Sequence, residues 1–243
     1  MNHTPISIKK WAAWAPGVDR PELWRRFFNN EKKISSELKA DVSFLPAIKR
    51  RRLSPLARAA FFVAEKCMTA DQQVQTIFCS LRGESQRTFK ILQDIASDEG
   101  ISPTAFSLSV HNAIAGQFTI AFNNREKSLA IAPGEQGYIA GLIEAAGLLL
   151  EKPDKDVLLV IYDEGLPELY RQYCQLHEFP VALAILLSTQ GEDKISLQNE
   201  PLPTESYQHD INDLLNIVEF FATANRQANI VTPNNAWTIS RDV

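Results

Sequence analysis

The chain has 243 residues, of which 45% are hydrophobic and 22% are charged, so it can bury one large core or two small ones and does not have a disordered composition. Its net charge is -4, with 29 acidic and 25 basic residues. A nucleic-acid-binding protein needs a basic stripe that neutralises phosphates, and the one basic run here consists of Lys49, Arg50, Arg51 and Arg52. The composition therefore excludes that class, and we predict that the run is the solvated start of a helix.

Predicted strands and helices alternate along the chain, which is typical of an α/β fold with a mostly parallel sheet. Ser54 precedes Pro55, and this pair of residue types favours a helix that begins at Pro55 with Ser54 as its cap. The other elements predicted in the first half are a strand at 6–14, a helix at 21–28, a strand at 74–81 and a helix at 83–96.

In the second half, residues 157–162 form a continuous apolar run, Val-Leu-Leu-Val-Ile-Tyr, as expected of a strand buried on both faces. The other predicted strands are 127–132, 181–187, 194–198 and 237–240. The predicted helices are 107–122, 136–150, 166–177 and 210–224, and the two prolines within 200–208 predict a loop there.

The cysteine count and the N-terminal sequence indicate the cellular compartment of the protein. Cys67, Cys79 and Cys174 are an odd and sparse set, which gives no disulfide framework and indicates a reducing compartment. Residues 1–14 contain no continuous apolar stretch of the kind found in signal peptides, and the apolar stretches at 139–150 and 181–187 are short or interrupted. We therefore expect a cytoplasmic protein without a membrane span.

The sequence lacks the general catalytic motifs. The chain has no phosphate-binding loop, no nucleophile elbow and no dinucleotide-binding glycine pattern, so we predict no cofactor. Cys174 and His177 are three residues apart, but two candidate ligands do not hold a zinc ion, so we predict no metal. A hydrolase built on Ser109 and His111, or on Cys174 and His177, lacks a third catalytic group.

A strand, a tight turn and an apolar helix are predicted in succession at residues 131–138, Ile-Ala-Pro-Gly-Glu-Gln-Gly-Tyr. In many enzymes such a turn lifts a nucleophile to a helix N-terminus, where the helix dipole stabilises a thiolate or an oxyanion. Here the exposed positions of the turn carry Glu135 and Gln136, which are not thiol nucleophiles. From the spacing alone, an ordinary strand–helix turn is the preferred interpretation.

Residues 102–116, Ser-Pro-Thr-Ala-Phe-Ser-Leu-Ser-Val-His-Asn-Ala-Ile-Ala-Gly, resemble a segment of the ketosynthase family. The strand that follows it in that family has its counterpart in Ser128-Leu129-Ala130-Ile131-Ala132, and the resemblance is good over 53–162. It implies a thiolase-like fold: the N-terminal half of the ketosynthase fold, a layered α/β structure with a mixed central sheet. It also implies a single domain over 1–243.

Two departures from the family bear on catalysis. Where ketosynthases have their nucleophilic cysteine, an ungapped comparison places Glu135, and a slip of one residue places Gln136. The chain also ends where the first of the two halves of the fold is expected to end, and His111, His177 and His209 do not lie in the contexts of the two active-site histidines. The resemblance therefore implies a degenerate ketosynthase that is not an enzyme by itself.

The family members most similar in these respects are the short chain length factors of aryl polyene type II polyketide systems. This resemblance implies a subunit that forms a heterodimer or heterotetramer with an active ketosynthase, in polyketide or fatty acid biosynthesis, and meets an acyl carrier protein transiently. Under this resemblance, the alternative to a solvated helix start is that the basic run at 49–52 binds the acidic carrier protein. The alternative function is a malonyl-carrier-protein decarboxylase that uses Gln136 or Glu135.

The resemblance also assigns roles to two segments. In ketosynthase dimers the stretch after the Ser-Pro turn lines the partner's acyl channel, which here corresponds to Thr104, Ala105, Phe106 and Ser107. The strand before the nucleophile pairs across the dimer axis, which corresponds to Ser128, Leu129, Ala130, Ile131 and Ala132. We expect Phe106 to limit the depth of the channel, with core packing in its own chain as the alternative.

Overall fold

A computed structural model describes residues 6–35, 38–173, 178–201, 213–233 and 235–241. Its strands are β1 (Ile6–Trp14), β2 (Gln75–Cys79), β3 (Ser128–Ile131), β4 (Val157–Asp163), β5 (Val181–Ser188), β6 (Lys194–Pro201), β7 (Gln227–Val231) and β8 (Asn235–Arg241). Its α-helices are α1 (Pro21–Phe28), α2 (Ala47–Arg50), α3 (Pro55–Cys67), α4 (Ser85–Ala96), α5 (Pro103–Ser107), α6 (Ala113–Ala121), α7 (Ile139–Glu151) and α8 (Asp213–Ala222).

The described strands form one mixed sheet in the order β3-β2-β4-β5-β1-β6-β8-β7. Strand β2 pairs in parallel with β3 and β4, and the other pairings are antiparallel. The mixed sheet implied by the family resemblance is confirmed, whereas the mostly parallel sheet inferred from the alternation is wrong. A parallel pair needs a long crossover, usually an α-helix, and the described part of the β4–β5 connection has only the 3-10 helix Glu168–Tyr173.

The sheet is covered on both faces in its centre. Every residue of β4 and β5 is buried, which explains their unbroken apolar sequences. Helix α3 packs against β1, β4 and β5, while α7 packs against β2 and β4. The two apolar clusters on the opposite faces contain Phe61 with Phe78 on one side and Ile77 with Leu142 on the other. The central strands therefore lie in a layered α/β core.

Two long predicted helices are interrupted. The helix predicted at 107–122 is instead α5 and α6, separated by a turn at 108–112 that contains His111. The helix predicted at 136–150 is a 3-10 helix, Gly134–Gln136, followed by α7. Gly137 causes the second break because its φ of 64° is left-handed, and a Cβ there would lie 2.9 Å from Oδ2 of Asp213.

Several other predictions are confirmed in detail. Strand β1 and helix α1 have the predicted bounds, and the hydroxyl of Ser54 accepts a hydrogen bond from the backbone N–H of Ala57, as expected of a cap. The loop at 200–208 and the first residues of the 210–224 helix lie largely outside the described residues, as do 174–177. Among the helices that the structure describes, none is long and apolar enough to cross a membrane.

Candidate functional site

The carboxyl ends of the parallel strands β2, β3 and β4 meet at one edge of the sheet. In open α/β sheets this is where ligands and catalytic groups usually lie. The segments that follow these ends are the loop with Ser80 and Glu84, the 3-10 turn that carries Glu135 and Gln136, and the pair Asp163 and Glu164. We call this region the carboxyl-end cluster.

Asp163 is the centre of the cluster and is fully buried. Its carboxylate accepts hydrogen bonds from the hydroxyl of Ser80 (3.0 Å), the backbone N–H groups of Leu81 (2.7 Å) and Arg82 (3.1 Å), and the phenol of Tyr138 (2.7 Å). Burial nevertheless raises the pKa of Asp163 above its ordinary value, because desolvation outweighs these hydrogen bonds. The bonds join the ends of β2 and β4 to the start of α7, so Asp163 is a structural link between them.

The turn at the former nucleophile position is exposed. Glu135 and Gln136 both lie in the 3-10 helix Gly134–Gln136 with solvent-exposed side chains, before the first residue of α7. A catalytic carboxylate or amide that stabilises charge acts in a site from which water is excluded. The turn in this chain does not enclose such a site.

The described cysteines do not replace the missing nucleophile. Cys67 and Cys79 are buried, and burial raises the pKa of each thiol to about 12. A cysteine reacts as the thiolate, so a thiol with such a pKa is unreactive near neutral pH. Cys174, which belongs to the proposed pair Cys174 and His177, lies outside the described residues.

His111 is the one histidine in the described ranges, and its position is structural. Its Nε2 lies 3.0 Å from the carbonyl oxygen of Ile131 at the end of β3, and a Cβ at Gly83 would lie 2.9 Å from its Nδ1. The hydroxyl of Ser109 donates to the carbonyl oxygen of Phe106 at 2.8 Å. The ring of His111 thus holds the turn between α5 and α6 against β3, and Ser109 is not aligned with it as a nucleophile.

The predicted channel segment forms α5, which has no buried residue. The hydroxyl of Ser102 caps it by accepting from the backbone N–H of Ala105, while Thr104 and Ser107 are exposed. Phe106 exposes 60% of its surface. Core packing within this chain, the alternative considered for Phe106, is therefore wrong.

The predicted interface strand is β3, and it lies at the end of the sheet. The carbonyl oxygen of Lys127 accepts a hydrogen bond from the backbone N–H of Thr76 in β2. That of Ile131 accepts one from Ser80, directly after β2. Because backbone groups alternate in direction along a strand, Ser128 and Ala130 direct theirs away from β2. No described strand pairs with that side, and Leu129 is half-buried while Ala132 follows the strand and is exposed.

The buried acidic residues of the cluster were not predicted from the sequence. Glu84 exposes 3% and Glu164 exposes 8% of its surface, and burial together with the charges of Glu84 and Asp163 raises the pKa of Glu164 to about 8. The available signal was an acidic pair, Asp163 and Glu164, directly after a wholly apolar strand. Within the described ranges, no three His, Cys, Asp or Glu residues lie together in a way that could hold a metal ion.

Comparisons with known proteins agree with this geometry. The family model of the beta-ketoacyl synthase N-terminal domain matches residues 24–240, whereas no curated protein is significantly similar in sequence. A chain in the structure of the ketosynthase ApeO in complex with its chain length factor ApeC, from Xenorhabdus doucetiae, is 27% identical with a TM-score of 0.79. That match covers 98% of this chain and 99% of the other.

Two more distant solved structures have the same fold. The ishigamide ketosynthase/chain length factor is 13% identical with a TM-score of 0.62, over 81% of this chain and 67% of that one. A chain of AntDE:AntF, a type II polyketide synthase acyl carrier protein in complex with its ketosynthase, is 9% identical with a TM-score of 0.68, over 99% and 100%. The chain therefore belongs to the beta-ketoacyl synthase N-terminal domain family and has the thiolase-like fold of ketosynthases.

Proposed function

We propose that this chain is a non-catalytic ketosynthase-like subunit, a chain length factor, that pairs with an active ketosynthase and shapes its acyl channel. The pathway we propose is type II polyketide biosynthesis of the aryl polyene kind, or fatty acid biosynthesis, with residues 1–243 acting as one domain. The observation that carries the proposal is the exposed turn after β3, which offers Glu135 and Gln136 in place of a thiol.

The chemistry of condensation supports a non-catalytic role. A ketosynthase holds its growing chain as a thioester, which requires a thiolate at the start of the helix after the turn. Neither a carboxylate nor an amide forms that thioester, and the thiols of Cys67 and Cys79 are protonated and buried. The exposed position of Gln136 gives no support to malonyl decarboxylation, for which the developing charge needs enclosed hydrogen-bond donors.

The surface beside the turn supports a partner subunit. Strand β3 has an unpaired side, and an unpaired strand edge is a template for another strand. Helix α5 adds the exposed Phe106, and Ile101 and Val110 on either side of it are exposed as well. Exposed apolar residues that form a patch favour an interface. We propose that a ketosynthase covers this region and that an acyl carrier protein visits the complex transiently.

The test is reconstitution with an active partner ketosynthase and with acyl- and malonyl-carrier protein. We expect no β-ketoacyl product from this chain alone, and we expect the mixture to lose all product when the ketosynthase's own nucleophilic cysteine is replaced by alanine. The variants Glu135→Ala and Gln136→Ala should keep the product. Condensation by this chain alone would refute the proposal, and carbon dioxide release by this chain alone that disappears in Gln136→Ala or in Glu135→Ala would assign it to decarboxylation instead.

A further inference from the structure

A groove of about 390 Å³ opens at the carboxyl-end cluster, between the start of α3, helix α4 and helix α5. Ser54 and Ala105 lie at its borders, and Glu84, Arg87 and Glu164 line it. We call it the Glu164 groove. Two carboxylates that are each more than nine-tenths buried therefore share one surface opening.

The carboxylate of Glu84 is fully engaged. Its Oε1 accepts a hydrogen bond from the hydroxyl of Ser54 at 2.6 Å, and its Oε2 accepts one from Nε of Arg87 at 3.2 Å. Glu84 also precedes α4, so its charge lies next to the positive end of that helix. Its role is explained by these contacts within the chain.

The carboxylate of Glu164 has no such contacts. Within the described ranges it makes no hydrogen bond and no ion pair, although Arg87 acts on it through its charge. The residue is mostly buried, but its carboxyl oxygens reach the solvent in the groove. A mostly buried acidic group without a protein donor still costs free energy, which a ligand that donates to it would offset. Glu164 is therefore an acceptor in a groove, and it lacks a donor.

The cations that line the groove are already paired. Arg87 bonds Glu84, and Nζ of Lys90 lies 2.7 Å from Oδ1 of Asp94. The lining thus has three carboxyl groups, those of Glu84, Asp94 and Glu164, against these two cations. Because burial raises the pKa of Glu164 to about 8, its carboxyl group is mainly protonated in the free chain at neutral pH, and a positively charged group from outside would favour the ionised form.

We propose that the Glu164 groove is a docking site for an arginine side chain of the partner subunit. A guanidinium is planar, remains charged and donates two parallel hydrogen bonds to a carboxylate, so it suits a narrow groove with an open acceptor better than a hydrated ammonium. A metal ion is a poorer candidate because, among the described residues, no three His, Cys, Asp or Glu side chains are grouped in a way that could hold one. The Glu164 groove adjoins the proposed channel segment at Ala105 and is separate from the open edge of β3.

The partner in this proposal rests on the proposed function. Ala105 of α5 borders the groove, and α5 is the segment that we propose to reach the ketosynthase. An arginine of the ketosynthase that lies beside α5 would therefore meet Glu164 without a change in this chain. The docking would lock α5 in place because the same partner side chain would touch both elements.

The first experiment tests the site without the partner. The free chain, labelled with carbon-13 at its glutamate carboxyl groups, is titrated with pH in N-propylguanidinium chloride, propylammonium chloride or sodium chloride at equal ionic strength. We expect propylguanidinium to lower the pKa of Glu164 by about one unit or more relative to sodium chloride. Glu164→Gln identifies the signal. No shift, or a larger shift with propylammonium, would overturn the assignment.

The second experiment tests the occupant. We expect Glu164→Gln to weaken binding of the ketosynthase by about ten-fold or more, because a buried arginine then loses its charged partner. Glu192→Gln, an exposed acidic residue between β5 and β6, is the matched control and should bind like the original chain. Equal binding by all three proteins would overturn the docking role. If the chain binds propylguanidinium but not the ketosynthase, the result would support the cation site and refute the proposed function.

Discussion

The phenol of Tyr138 donates a hydrogen bond of 2.7 Å to Oδ2 of Asp163, and both side chains are almost completely buried. Tyr138 lies directly before α7, and Asp163 is the last residue of β4. The bond therefore fixes the distance between the turn after β3 and the centre of the sheet. It also gives Asp163 one of its side-chain donors, the other being Ser80.

Replacement of Tyr138 by phenylalanine should destabilise the chain by roughly 1.5–3 kcal/mol at pH values where Asp163 is ionised, as expected for a lost hydrogen bond to a charged group. The hydrogen bond from Tyr138 favours the ionised form of Asp163, so without it the raised pKa of Asp163 rises further. The difference from the original chain should shrink as the pH falls and Asp163 becomes protonated. Urea unfolding at several pH values measures this, and a pH-independent difference would contradict it.

Glu164 should make the free chain less stable as the pH rises. Its pKa is raised from 4.5 to about 8, so the folded chain favours the protonated form. The contribution of Glu164 to the free energy of unfolding is complete below pH 4.5 and is lost as the pH rises through 8. Its loss is up to about 1.4 kcal/mol per pH unit. Glu164→Gln removes this dependence and should be the more stable protein above neutral pH.

The same variant thus has opposite expected effects on folding and on partner binding. Urea unfolding of Glu164→Gln and of the original chain between about pH 5 and pH 9 measures the folding effect. Glu192→Gln serves again as the control because its side chain is exposed. Parallel stability curves for Glu164→Gln and the original chain would show that Glu164 titrates normally, contrary to this prediction.

Replacement of Ala130 by proline should distinguish the role of the open side of β3 from that of the side paired with β2. The backbone N–H of Ala130 points away from β2, so Ala130→Pro removes a donor from the open edge and leaves the pairing with β2 in place. We expect a folded chain that no longer binds the ketosynthase. Leu129→Pro is the matched control, since it removes a donor directed at β2 and should unfold the edge of the sheet. Retained binding by Ala130→Pro would refute the strand pairing.

Replacement of Phe106 by alanine should change product length and leave stability within about 0.5 kcal/mol, because 60% of the side chain is exposed. A rigid aromatic group at the end of a channel limits length by steric exclusion, so the reconstituted complex should release longer products. Leu38→Ala, at an apolar residue with 54% exposure beside Gly17, is the control. An intact complex with an unchanged product distribution would remove Phe106 from this role.

The parts of the fold that depend on local sequence could be predicted. The Ser54–Pro55 pair marks the start of α3, and the uninterrupted apolar residues of 157–162 mark β4, because caps and burial on both faces leave direct signals. The break at His111 could not be predicted in this way. It depends on a contact with the backbone of Ile131, twenty residues further along the chain.

The same distinction applies to the candidate site. Glu135 and Gln136 were found because the family resemblance places them at a known position in a turn. The links from Asp163 to Ser80 and Tyr138 span 83 and 25 residues, so no local pattern reveals them. The groove around Glu164 likewise requires three separate segments, from α3, α4 and α5, to be brought together.

The short length of β3 has a consequence for how a partner strand would be aligned. The strand has four residues, and only Ser128 and Ala130 direct backbone groups outward. Two such residues supply at most about four hydrogen bonds, each with a net contribution of about 1 kcal/mol. Amide hydrogens at these two positions should therefore exchange quickly with solvent in the free chain and slowly in the complex. An edge of this size fixes the orientation of the partner, while most of the affinity comes from the side chains around it.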